Sequence, residues 1–183
     1  LLIARPEEDQ LVAFNRDRLI RYYWQLVFHA RLDLHLQDAV AVTRMTTGLL
    51  RERIDRIGQT EFDEVRAVLR QEAMLLHPDD QRQVYAEFVA CYCELQTFAP
   101  DQVALYFPAL SGREDLAELI AVDCPAADLL REITPAELSG VDPAQRLTAA
   151  FEPAAAQARD SIAAKPSEWR YRQRMRLAKR FED

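Results

Sequence analysis

Four ionisable side chains sit at positions where helical periodicity does not simply assign them to solvent: His29, Asp33, Arg53 and Glu72. His29 and Asp33 are four residues apart in a stretch without Gly or Pro, so on a helix their side chains can touch. An imidazole beside a carboxylate can be a base with its orienting group, or part of a metal site. The surrounding sequence favours a surface or boundary ion pair. His35 projects about 120° away from His29 on a helix. No Glu stands three residues before any His, and no HExxH is present. On this reading no catalytic residue, metal or cofactor is assigned.

Glu72 falls between Val65 and Val68 in projection, in the middle of an apolar face, and Arg53 falls similarly between Leu49 and Ile57. A buried charge must be paired or neutralised, because leaving it alone costs several kcal/mol. The simplest expectation is that Arg53 and Glu72 meet, or that each finds a partner elsewhere in the domain. A polar ligand pocket built from Arg53, Glu72, His29 and Asp33 is the alternative.

The third candidate is the C-terminal stretch from Ser167. On a helix, Tyr171, Met175, Ala178, Leu177 and Phe181 form an apolar arc, with Arg172, Arg176, Lys179 and Arg180 on the other side beside Trp169. From Lys165 onward the chain carries seven basic and three acidic residues, a net +4, against −7 for the whole; the remainder stands at −11. Segregation of this kind suits docking on an acidic protein surface or on a neighbouring domain. Nucleic acid comes second, since the sequence pI of about 5.1 is far from that of a basic binding module. A membrane surface comes third, the apolar face being short.

Composition narrows the classes further. Four Gly in 183 residues argues against sheet and leaves no GxGxxG or GxxxxGK loop for phosphate. No apolar run approaches 18 residues, so no transmembrane segment is expected. Cys91 and Cys93 project about 200° apart on a helix, Cys91 on the apolar face and Cys93 elsewhere. Three cysteines cannot all pair, and core packing in a reducing cytoplasm fits them best. The first residue is Leu rather than Met, which leads us to expect a segment of a larger protein.

The elements follow from periodicity and caps. The stretch Asp9–Val42 reads as one long helix, entered through Pro6 and acidic residues, with Leu19, Tyr23, Leu26, Val27, Ala30 and Leu34 on its core arc. Ile20, Trp24 and Phe28 widen that arc, leaving Arg18, Arg21, Gln25 and His29 as a polar edge. A bend or a change of packing partner is expected between His29 and Asp33. A short helix ends at Gly58, a third runs from Thr60 to about Leu76, and a fourth runs from Asp80 to Phe98 with Val84, Tyr85, Phe88, Val89, Tyr92 and Leu95 inward. Shorter helices follow Asp101, Ser111, Cys124 and Pro135. These elements lead to an all-α fold: an antiparallel bundle around one long central helix, with short peripheral helices and the basic C-terminal helix. The bundle occupies 1–140 and a loosely packed extension 141–183. The expected function is a non-catalytic interaction or scaffold module. An enzyme or ligand-binding domain near Glu72, Arg53 and His29, and a nucleic-acid-binding accessory domain, are the alternatives.

Overall fold

A computed structural model describes residues 16–41, 45–72, 74, 75 and 77–144. They form α1 (Arg16–Ala41), α2 (Thr47–Ile57), α3 (Gln59–Gln71), α4 (Gln81–Phe98), α5 (Val103–Tyr106), α6 (Asp115–Asp123) and α7 (Ala126–Ile133), with three short 3-10 turns. No strand occurs among the described residues, so the fold is all-α. Nor is any helix among them long and apolar enough to cross a membrane. The expected start of α1 at Pro6 and the basic C-terminal helix lie outside the described residues.

Local chemistry explains the boundaries. The Thr46 hydroxyl accepts from the Leu49 amide at 3.2 Å and opens α2, and the Asp80 carboxylate accepts from the Arg82 amide at 2.9 Å and opens α4. Gly58 ends α2 and begins α3 at φ 97°, donating its amide to the Ile54 carbonyl at 2.8 Å. A Cβ there would meet only the mobile end of the Glu61 side chain, so the positive φ is what calls for glycine. The α3 helix stops at Gln71, five residues before the expected Leu76. The Met74 amide bonds the Leu69 carbonyl at 2.8 Å, and the chain turns inward to place Met74 Sδ 3.6 Å from Cys91 Sγ.

The most extensive helix contact is between α1 and α4; α1 also packs on α7, and α4 on α3. The α1 side of that contact is a four-residue repeat, Trp24, Phe28, Leu32 and Leu36, all buried. Across it, Phe98 meets Trp24 edge-to-face at 5.2 Å and Phe28 at 5.8 Å. This corrects the expected arc. Leu34 is 46% exposed and Tyr23, Leu26, Val27 and Ala30 are half-buried, whereas Arg21 and His29 from the supposed polar edge are buried. A helix apolar most of the way round does not declare its deepest face; the bulkiest side chains turn toward the aromatic face of α4. That face is as expected, with Val84, Tyr85, Phe88, Val89, Tyr92 and Leu95 all buried. Cys91, Cys93 and Cys124 are buried thiols outside any disulfide. A hydrogen bond with Cys124, reinforced by burial, holds the Cys93 thiol well above its ordinary pKa.

Candidate functional site

Two polar clusters lie inside this framework. The first joins α2, α4 and α6. Arg53 Nε donates to Asp123 Oδ2 at 2.7 Å and Nη2 to Oδ1 at 3.1 Å, a two-pronged guanidinium–carboxylate pair with both residues nearly closed to solvent. The Tyr85 hydroxyl donates to the same Oδ2 at 2.6 Å, and Arg53 Nη1 reaches Glu52 at 3.1 Å. The hydrogen bond to Asp123 raises the pKa of Arg53. Burial, then the bond to an anionic carboxylate, pushes the Tyr85 phenol far above its usual range. The expected meeting of Arg53 with Glu72 does not occur. Glu72 lies just past the end of α3, half-buried, and its shielded Oε2 accepts no hydrogen bond from a described residue. Glu72 keeps its helical amide bond to the Val68 carbonyl at 2.8 Å, and it is Arg53 that turns elsewhere, to Asp123 and Glu52.

Tyr85 and Asp123 also border a cleft of about 360 Å³, shared with His35, Leu36, Leu49 and Val122. His35 Nε2 lies 3.3 Å from the Asp123 carbonyl oxygen, so His35 belongs here and not with His29, as the sequence spacing requires. The carboxylate of Asp123 is committed to Arg53 and Tyr85. This cluster is a clasp holding three helices.

The second cluster lies between α1 and α4 and is differently built. Gln25, His29 and Asp33 succeed one another at four-residue spacing along α1; Glu87 and Glu94 are two turns apart on α4. His29 is buried. Its Nδ1 lies 2.6 Å from Glu94 Oε2, while Nε2 lies 3.1 Å from Asp33 Oδ2 and 4.0 Å from Glu87 Oε1. Gln25 Nε2 donates to the other Glu94 oxygen at 2.5 Å. The expected His29–Asp33 pair is therefore formed, but as part of a larger group than the sequence spacing suggested. Glu94, itself 3% exposed, fixes the imidazole ring through Nδ1. That leaves Nε2 facing two carboxylates from different helices. The donor atoms of His29, Asp33 and Glu87 all lie within 4.8 Å of one another, the spacing of ligands around a cation. Exposure rises outward from 4% at the Glu94 side chain through 16% at Glu87 to 33% at Asp33, so the group opens to solvent at one end.

Glu87, Glu94, Gln25, Asp123 and Tyr85 were not singled out from sequence. A signal existed for Glu94: it interrupts the apolar run Cys91–Leu95 just as Glu72 interrupts its own face. Trp169, Arg172, Arg176, Lys179 and Arg180 lie outside the described residues. No protein-family model, curated protein or solved structure matches the chain.

Proposed function

We propose that this chain is a non-catalytic helical module that binds a divalent cation between α1 and α4, in a bundle arranged around α1. The observation that carries the reading is the convergence of His29 Nε2, Asp33 and Glu87, with the imidazole ring held from behind by Glu94. Three ligand atoms within 4.8 Å of one another can share one cation, and a cation held there would tie the two helices together. The 360 Å³ cleft shares no residue with the proposed cation ligands, so the cation reading stands on the helix–helix site alone. Binding should register as stability: a ligand at 100 times its Kd adds about 2.7 kcal/mol. The thermal midpoint of the chain, stripped with chelator, is expected to rise when divalent cations are restored, and Glu87→Gln is expected to remove that rise. An unchanged midpoint across Mg²⁺, Ca²⁺, Mn²⁺ and Zn²⁺ would sink the reading.

A second reading rests on charge segregation: the C-terminal stretch at +4 docks on an acidic protein surface, with the extension beginning near Gly140. Truncation at Ala164 is then expected to leave the helical body folded and to abolish salt-sensitive binding to the protein partner or neighbouring domain. Loss of the folded body on truncation would place Tyr171, Met175 and Phe181 in the core and end the docking idea. Oligonucleotide binding that disappears at high salt would put the nucleic-acid alternative in its place.

A further inference from the structure

The geometry points to a first-row transition ion of the zinc class at the site of His29, Asp33 and Glu87, in preference to Mg²⁺ or Ca²⁺. This rests on the cation reading above and names the metal it would take. Three features carry it. First, one of the three donors is an imidazole nitrogen. Imidazole suits zinc, copper, iron and nickel, whereas magnesium and calcium take oxygen donors. Second, the number and spacing of donors fit a small coordination sphere. At metal–ligand bonds of about 2.0–2.2 Å, tetrahedral ligand atoms stand about 3.4 Å apart. The observed Nε2 separations, 3.1 Å to Asp33 and 4.0 Å to Glu87, bracket that value. Calcium takes about six to eight oxygens, and Asp33 and Glu87 supply carboxylates from only two residues. Third, the ring is oriented in the manner of metal-bound histidines. Glu94 holds Nδ1 at 2.6 Å and is itself anchored by Gln25, so Nε2 is the nitrogen turned toward Asp33 and Glu87, and a metal bound there would displace any proton it carries. Glu94 is a positioning residue: it touches the ring and not the ion. Asp33 is the most exposed of the three, so water would reach a bound ion from that side.

Neither other prominent group competes. The Arg53–Asp123–Tyr85 clasp already carries its own cation, and the buried pair Cys93 and Cys124 is not accompanied by a further ligand to complete a thiolate site among the described residues.

The test uses the chain as it exists, freed of metal by chelator. Separate titrations with ZnCl₂, CoCl₂, CaCl₂ and MgCl₂ are followed by calorimetry, and for cobalt by its visible absorption. Zinc is expected to bind one to one and about two orders of magnitude or more tighter than calcium or magnesium. Cobalt is expected to develop the visible bands of a low-coordinate site. Glu87→Gln should abolish tight binding. Glu94→Gln should weaken it by about 10–100-fold and alter the cobalt spectrum, a change that loss of packing alone would not cause. Should either Ca²⁺ or Mg²⁺ bind at this site as tightly as zinc, the metal assignment fails while the cation reading stands. If no cation binds, or if Zn²⁺ binding survives Glu87→Gln and His29→Gln unchanged, both fall.

Discussion

Replacing Arg53 by alanine is expected to destabilise the domain by about 3–5 kcal/mol, the loss that follows when one partner of a buried ion pair is removed. The expectation depends on what remains. Without the guanidinium, Asp123 keeps a carboxylate with 9% side-chain exposure and only the Tyr85 hydroxyl as a hydrogen-bond donor of the original set. Most of the cost is this stranded charge and not the intrinsic worth of the pair, so removing both members should be milder. The double substitution Arg53→Met with Asp123→Leu is expected to recover a substantial part of the loss. Urea denaturation of the two variants at neutral pH separates the cases. A loss below about 1 kcal/mol for Arg53→Ala would put the pair in the class of exposed ion pairs and contradict the burial described. Tyr85→Phe should cost about 1–2 kcal/mol by the same measurement, as the removal of one hydrogen bond to a charged group does.

Phe98→Ala is expected to cost about as much, roughly 3–5 kcal/mol, by a different route. The ring is fully buried and joins Trp24 and Phe28 of α1 to the end of α4. Its removal forfeits apolar burial and leaves a cavity at the largest helix contact, which close-packed neighbours fill only in part. The reporter is built in. In a Trp169→Phe background, Trp24 is the remaining indole, so its emission should shift to the red as water reaches the void. An unchanged spectrum with a loss under about 1 kcal/mol would mean that α1 and α4 do not meet through this face.

The contrast between these residues shows what was legible in the sequence. Helix positions were, because caps and periodicity are local: Asp80 and Gly58 do in the structure what their types imply. The inward face of α4 was legible too, its apolar residues being concentrated on one side. The inward face of α1 was not, since a nearly all-round apolar helix takes its orientation from its neighbours; Leu34 ended half in water and His29 buried. The sites divide along the same line. His29–Asp33 is a four-residue contact and could be read from spacing. Arg53–Asp123 and Gln25–Glu94 join residues 70 and 69 positions apart, and only the packing of one helix on another brings them together. The expected Arg53–Glu72 pairing fails for the same reason: Arg53 meets Asp123, which no single-helix projection could show.

The central claim, a cation held by His29 between α1 and α4, is tested most directly by the imidazole nitrogens themselves. The chain has three histidines, at positions 29, 35 and 77, so their side-chain ¹⁵N signals can be assigned by single substitutions. On adding one equivalent of Zn²⁺ to the metal-free chain at neutral pH, the His29 Nε2 signal is expected to shift strongly. Its Nδ1 should remain protonated against Glu94, and the signals of His35 and His77 should stay where they were. A His29 spectrum indifferent to Zn²⁺ and to the other divalent cations, or a response confined to His35 or His77, would contradict the account.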